Sequence, residues 1–182
     1  TDMLASGQKS FYGGTKSKPE YYNVSSKSNQ AIKSDDKNIS LAALHEDKSR
    51  IVKENMGAAL VDLGDGCLCL EVHTKMNTID GDVINMLNEG VAEAEKNFEA
   101  LVIGNDGDHF GAGANLLLIF MAAQQKKWDE IKDIVSAFQN AVQGLRHSSI
   151  PVVAAPFQFT FGGAAEIAMG ADAIEAFAET YM

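Results

Sequence analysis

The sequence is poor in three features that mark common protein classes: cysteine, basic residues and long apolar runs. Its 182 residues include two cysteines, and its formal net charge is −10. Nucleic-acid surfaces need clustered Lys and Arg, so we expect no broad nucleic-acid interface. No apolar run reaches membrane-spanning length, and no signal peptide is visible. We therefore expect a cytoplasmic protein with neither nucleic acid nor membrane insertion among its interactions.

The cysteine content argues against both a disulfide framework and a metal centre. Cys67 and Cys69 lie two positions apart in a strand-like run, which places both side chains on one side of that strand. Two thiols without a nearby histidine are too few for a zinc site. We interpret both as small buried hydrophobic residues, and we predict no metal site.

The apolar residues that are present, 46% of the chain, are unevenly distributed. Residues 1–50 are rich in Ser, Lys, Asn and Gly, which is typical of a linker or docking arm; within them, Ser40 is a candidate N-cap of a short helical turn. From Gly57 onward apolar segments alternate with turn residues. We therefore place a domain boundary between residues 56 and 57.

Residues 57–182 contain alternating strand and helix patterns, which predicts the α/β class. A segment at 173–178 fits a strand or a helix equally well on pattern alone. The predicted elements are hairpin strands at 58–63 and 67–72, a helix at 80–97, a strand at 101–103, a helix at 127–146, a strand at 151–155 and a helix at about 163–170.

Two loops of small residues carry the candidate chemistry. Residues 109–116 (HFGAGANL) follow one buried strand, and residues 161–166 (FGGAAE) follow the next; both open helices. Small side chains let a ligand approach the backbone, and free N–H groups at a helix start point outward. One N–H from each loop could form an oxyanion hole. Taken singly, each loop is better explained as a tight turn with close helix–strand packing, and neither matches the dinucleotide-binding fingerprint.

Taken together, these motifs resemble the enoyl-CoA hydratase/isomerase (crotonase) family. The resemblance is carried by residues 104–116, by 151–155 leading into 162–166, and by 75–79 (KMNTI). It implies the ClpP/crotonase ββα superhelix, truncated at its C-terminal side. The particular residues of these motifs are similar to those in the hydratase half of fused 3-hydroxyacyl-CoA dehydrogenase/hydratase proteins. Residues 3–7 and 11–12 look like the end of the dehydrogenase half.

The resemblance implies a role for six residues. Ala112 and Gly163 would supply the two oxyanion-hole N–H groups, and Glu166 would be the catalytic acid/base. Lys75 and Met76 would hold the CoA moiety, and Ala114 would line its adenine side; Lys75 is equally explained as a surface lysine. A carboxylate in a first helical turn is also a common stabilising feature, but the two loops favour catalysis by Glu166.

The implied reaction is hydration of a trans-2-enoyl-CoA, with acyl-CoA as substrate and no resident cofactor. NAD would belong to the dehydrogenase half, outside this chain. Ala164 and Ala165 replace a glycine and a cysteine of the family pattern, and Asn115 replaces a frequent acid. The family's second glutamate, about twenty residues beyond the first, would fall past Met182. An isomerase, or a non-catalytic CoA-binding or assembly module, therefore stays open.

The first prediction concerns residues 1–182 made alone. We expect no hydratase activity, because the second carboxylate is lacking, and we expect self-association, because exposed apolar patches drive it. Partner copies of the chain, or a homo-oligomer, would cover the exposed side. The measurements are crotonyl-CoA hydration and mass in solution. A monomer with ordinary turnover contradicts both expectations.

Overall fold

The structure is a computed structural model that describes residues 2–5, 7, 9–33 and 38–182. Ser6, part of the predicted motif at residues 3–7, lies outside the described residues. The chain divides into two compact units, residues 1–48 and residues 49–182. The described elements are α1 (Asp2–Ala5), β1 (Tyr12–Gly14), β2 (Pro19–Asn23), β3 (Ser28–Ala31), α2 (Leu41–Leu44), β4 (Ile51–Glu54), β5 (Ala58–Gly64), β6 (Cys67–Val72), α3 (Gly81–Asn97), β7 (Ala100–Ile103), α4 (Leu116–Gln124), α5 (Trp128–Arg146), β8 (Val152–Ala154), α6 (Gly163–Gly170) and β9 (Ala173–Ile174).

The first unit contains a three-stranded antiparallel sheet in the order β1-β2-β3. The residues at 21–24 (YYNV) predict one short strand here, which overlaps β2. The other two strands were not predicted, because β1 and β3 are exposed along their whole length and show no apolar alternation. Ser40 caps α2, as predicted, by accepting the N–H of Ala43 at 3.3 Å. Hydrogen bonds, above all from the Ser17 hydroxyl, hold the pKa of Glu46 below its usual range.

The second unit is built on a six-stranded sheet in the order β4-β5-β6-β7-β8-β9. The first three strands are antiparallel, and β6 to β9 run parallel. The predicted hairpin is confirmed as β5 and β6. In addition, β4 pairs with β5, so the sheet includes a strand from the region that the sequence assigned to the connecting segment.

Helix α3 closes one side of this sheet. Its N-terminus is capped by Asp80, whose carboxylate accepts the N–H groups of Asp82 and Val83 at 3.0 and 3.1 Å. Such a cap typically stabilises a helix by about 1 kcal/mol. Gly90 allows close packing on the sheet, because a Cβ there would lie 3.1 Å from the Leu60 side chain. The core-facing residues are Val83, Ile84, Met86, Leu87, Gly90 and Ala94.

Helix α5 matches its predicted range to within one residue, but its predicted apolar stripe is only partly buried. The helical period places that stripe at Trp128, Ile131, Val135, Phe138, Val142 and Leu145. Ala141 and Leu145 in its C-terminal half are buried. In its N-terminal half Trp128 is 63% exposed and Val135 is 42% exposed. The amphipathic period identified the helix correctly, but a period cannot distinguish a side chain in the core from one beside an open cavity.

The α/β class predicted from the sequence is confirmed, and the ambiguous segment at 173–178 contains the two-residue strand β9. Cys69 is buried as predicted, whereas Cys67, next to the hairpin turn, is only half-buried. Burial, reinforced by the nearby Glu71 carboxylate, raises the pKa of the Cys69 thiol to about 12. Cys69 is therefore protonated at neutral pH. No helix of the described residues is long and apolar enough to cross a membrane.

The second prediction tests the core beneath the candidate loops. Leu101 on β7 is fully buried, so Leu101→Ala should lower the free energy of unfolding by about 2–5 kcal/mol through lost burial and a cavity. Leu117, on α4, is 64% exposed, and Leu117→Ala should change it by less than about 0.5 kcal/mol. Urea unfolding followed by circular dichroism measures both. Equal effects of the two substitutions would contradict this core.

Candidate functional site

The candidate site lies at the carboxyl ends of β6, β7 and β8, three neighbouring parallel strands. Parallel neighbours end at one edge of a sheet, where α/β proteins commonly bind ligands. Residues 73–80 follow β6, residues 104–115 follow β7, and residues 155–162 follow β8. The two small-residue loops identified from the sequence are therefore adjacent because their strands are adjacent.

Backbone hydrogen bonds join the loops after β7 and β8. The N–H of Gly111 donates to the carbonyl of Phe159 at 3.0 Å, and the N–H of Phe161 donates to the carbonyl of Gly111 at 3.0 Å. Further along, a Cβ on Gly113 would lie 2.9 Å from the Phe161 carbonyl oxygen. The lack of a side chain at Gly113 thus allows the backbones of the two loops to lie close together.

The loop after β6 is attached to the loop after β7 in the same way. Ile79 donates to the Gly113 carbonyl at 2.9 Å, and Asn115 donates back to the Ile79 carbonyl at 3.1 Å. Asn77 adds a side-chain bond to the His109 carbonyl at 2.7 Å. Asn105 bonds both β6 and its own loop, through Val72 at 2.6 Å and Phe110 at 2.8 Å. Backbone and side-chain hydrogen bonds therefore hold the loops after β6 and β7 together.

A cavity of about 250 Å³ opens beside these loops, and its wall is mostly apolar. It is bounded by the loops and by residues of α3, α4, α5 and α6. A second, apolar recess of about 350 Å³ shares five lining residues with it and extends toward the start of α3. The lining residues of the first cavity are Ile79, Ile84, Ala114, Ile119, Ile134, Val135, Phe138, Gln139, Gly163 and Glu166.

Two backbone N–H groups at the cavity are unengaged. Within the described residues, neither the N–H of Ala114 nor that of Gly163 has a hydrogen-bond acceptor. Gly163 is the first residue of α6, where a helix leaves its N–H groups unpaired. Ala114 follows Gly113, whose φ of +88° turns the chain in a way that residues with a side chain rarely adopt. Both amides are therefore free to bind a carbonyl oxygen.

The structure does not support Ala112 as the predicted oxyanion-hole residue. Its N–H donates to the Met76 carbonyl at 3.2 Å, and it does not line the cavity. Ala114, expected only at the adenine side, lines the cavity instead. The sequence could not separate the two alanines, because the left-handed turn at Gly113 decides which N–H stays free.

The other predicted residues divide into two groups. Gly163, Glu166 and Ala114 lie together at the cavity. Lys75 and Met76 are exposed in a short turn after β6 and do not line it. Met76 borders a separate recess with His109, so a role for Lys75 and Met76 in holding CoA stays a prediction.

Glu166 brings the only carboxylate among the described residues that line the cavity. It lies in the first turn of α6, where the helix dipole favours a negative charge. Its side chain is exposed and makes no hydrogen bond or ion pair with the described part of the chain. A free carboxylate near two free N–H groups can exchange protons with a substrate whose carbonyl oxygen they hold.

The contribution of helix α5 to the cavity was not predicted from the sequence. Ile134 and Gln139 line the cavity from this helix, and neither belongs to the predicted apolar stripe. The available signal was weak: one glutamine beside a stripe is ordinary for an exposed helix surface. Within the described residues no group of three or more His, Cys, Asp or Glu side chains is arranged to hold a metal.

No family model matches the chain. The solved structure of an enoyl-CoA hydratase from Thermoplasma volcanium GSS1 matches with a TM-score of 0.61 and 22% identity, over 69% of this chain and 50% of that one. An enoyl-CoA hydratase/isomerase from Marinobacter aquaeolei matches with a TM-score of 0.59 and 21% identity, over 72% of this chain and 50% of that one. The chain therefore has the crotonase fold, and the resemblance predicted from the sequence is confirmed.

A relative in Bacillus subtilis (strain 168), named "Probable 3-hydroxyacyl-CoA dehydrogenase", is 41% identical over 181 residues. The match takes in the whole of this chain and 23% of the relative. The chain thus spans about a quarter of that curated relative and about half of each solved structure. The match to this relative therefore includes residues 1–56.

The third prediction compares two glycines. Gly113→Ala should lower the free energy of unfolding by about 1–2 kcal/mol through its left-handed backbone alone, and by more because the added Cβ overlaps the Phe161 carbonyl. Gly144, within α5, has nothing within 4 Å of an added Cβ. Gly144→Ala should therefore raise the free energy of unfolding by about 0.5–1 kcal/mol. Urea unfolding measures both, and a neutral Gly113→Ala would contradict the close contact of the loops.

Proposed function

We propose that residues 57–182 form the N-terminal part of an enoyl-CoA hydratase domain within a longer, fused 3-hydroxyacyl-CoA dehydrogenase/hydratase of fatty-acid β-oxidation. One observation supports this most directly: the free N–H groups of Ala114 and Gly163 and the carboxylate of Glu166 meet at one largely apolar cavity. Residues 1–56 would include the end of the dehydrogenase half and the connection. The relative named as a 3-hydroxyacyl-CoA dehydrogenase is similar over both parts.

The substrate would be a trans-2-enoyl-CoA, with its thioester oxygen accepting the N–H groups of Ala114 and Gly163. Hydrogen bonds fixed at that oxygen become stronger as negative charge develops on it, which lowers the barrier to an enolate. The apolar wall from Ile79, Ile84 and Ile134 would hold the hydrocarbon part of the acyl group. Glu166 would exchange a proton between water and C2, giving the 3-hydroxyacyl-CoA.

The proposal needs no resident cofactor or metal in this part of the protein. NAD would serve the dehydrogenase half. A homo-oligomer, or partner copies covering the exposed apolar residues, is part of the same proposal; these residues include Leu116, Leu117, Phe120, Met121, Phe177 and Tyr181. A cytoplasmic location stays a prediction from the sequence.

The fourth prediction is made for the whole protein, with crotonyl-CoA as substrate and butyryl-CoA as a saturated ligand that cannot be hydrated. Glu166→Gln should lower kcat by about 100- to 10,000-fold and leave butyryl-CoA binding nearly unchanged, because it removes the acid/base and little volume. Gly163→Val should abolish turnover, since a Cβ there would already lie 2.8 Å from Ile79 Cδ1.

The matched control is Glu175→Gln, which removes an exposed carboxylate outside the cavity and should have ordinary turnover. Hydration is measured by the loss of the conjugated enoyl thioester, and double-bond migration is measured in parallel with a 3-enoyl-CoA. Migration without hydration would favour the isomerase alternative. Butyryl-CoA binding without either reaction would favour a non-catalytic CoA-binding module.

A further inference from the structure

One half-buried side chain, that of Asn105, joins two of the strands that end at the candidate site. Asn105 lies two residues beyond β7. Its side-chain oxygen accepts the N–H of Val72, the last residue of β6, at 2.6 Å. Its side-chain nitrogen donates to the carbonyl of Phe110, in the loop after β7, at 2.8 Å. The side-chain amide therefore has one orientation, because a backbone N–H can only donate and a carbonyl can only accept.

Phe110 is held on its other side as well. It is buried, and its N–H donates to the carbonyl of Phe157, in the loop after β8, at 3.1 Å. The next residue, Gly111, packs on the start of α6, since an added Cβ there would lie 2.7 Å from the Cβ of Ala164. Ala164 is the second residue of α6. The position of Phe110 and Gly111 therefore sets how far the loop after β7 lies from the first turn of α6.

We propose that Asn105 is a positioning residue, which holds the loop after β7 so that the N–H groups of Ala114 and Gly163 reach one carbonyl oxygen. This rests on the proposed hydratase function. Ala114 follows Phe110 by four residues, and Gly163 opens α6. A shift of the loop thus changes the distance between the two donors. Asn105 does not itself line the cavity, so it acts through the loop.

The same hydrogen bonds also stabilise the fold, so the experiment must separate a structural role from a positioning role. Asn55 is the matched control within the second unit. Its side chain accepts the N–H groups of Gly57 and Ala58 at 2.9 and 2.8 Å and donates to the carbonyl of Asp82 at 2.8 Å. It is half-buried, like Asn105. It ties β5 to α3, however, and makes no such bond to the loops after β7 and β8.

The experiment uses the whole protein and follows exchange of the C2 hydrogens of butyryl-CoA with D2O by mass spectrometry. The C2–H bond breaks, its proton passes to Glu166, and the electron pair moves to the thioester oxygen held by the two N–H groups. Glu166 exchanges that proton for a deuteron of the solvent and delivers the deuteron to C2, which restores the thioester. Exchange involves no addition of water, so it reports how well the donors stabilise the enolate.

Asn105→Ala and Asn105→Leu both remove the two bonds without adding charge, and Asn105→Leu keeps most of the bulk. Each should slow exchange, and kcat for crotonyl-CoA, by about 10- to 100-fold, because a misplacement of about 1 Å can cost about 100-fold in rate. Butyryl-CoA binding should stay within about threefold, since the donors act mainly on the charge that develops in the enolate. Asn55→Ala should lower the urea midpoint at least as much as Asn105→Ala, because it removes three bonds, and should keep wild-type rates.

The inference is overturned by wild-type rates in a folded Asn105→Ala or Asn105→Leu, by an equal loss in Asn55→Ala, or by a loss of butyryl-CoA binding in proportion to exchange. It is also overturned if neither Asn105 variant folds while Asn55→Ala does, because the side chain then holds the fold and not the donors. Circular dichroism at the assay temperature shows which variants are folded. A wild-type protein that neither exchanges nor hydrates crotonyl-CoA overturns the proposed function itself, and that result is obtained before any variant is made.

Discussion

The site depends on the parallel pairing of β7 with β8. Leu101, Val102 and Ile103 lie opposite Val152, Val153 and Ala154, and this register sets where each following loop begins. The loops then continue the pairing beyond the strands through Gly111, Phe159 and Phe161. A shift of two residues would separate Ala114 from Gly163, although every local element could still form. The candidate site therefore depends first on the register of β7 and β8, and only then on the identity of its side chains.

Much of the fold could be predicted because its elements have strong local signals. The hairpin has a glycine-rich turn between two apolar runs, α3 has an Asp cap before an amphipathic stretch, and the strands leading to the site are short and apolar. The sheet of the first unit could be predicted only in part, because β1 and β3 have no buried residue to produce an apolar period. The edge strand β4 was not predicted for a similar reason, since three of its four residues are exposed.

The candidate site was only partly predictable. Glu166 and Gly163 are identified by a motif contiguous in sequence, and the structure places them at one cavity. The choice between Ala112 and Ala114 depends on a hydrogen bond to Met76, more than thirty positions earlier in the chain. Gln139 depends on the packing of α5 against α6. Neither long-range contact leaves a trace in local composition, so three-dimensional information was required.

The proposed use of backbone N–H groups at Ala114 and Gly163 has an evolutionary consequence. A main-chain donor is present in every amino acid except proline, so selection on the donor itself is nearly silent at residue 114, whose side chain is exposed to the cavity. The constraint falls instead on neighbours such as Gly113, where an added methyl group would overlap Phe161. In an alignment of such proteins, we would expect Gly113 to be invariant. The residue at position 114, which supplies the proposed N–H donor, would be free to vary and to change the shape of the pocket.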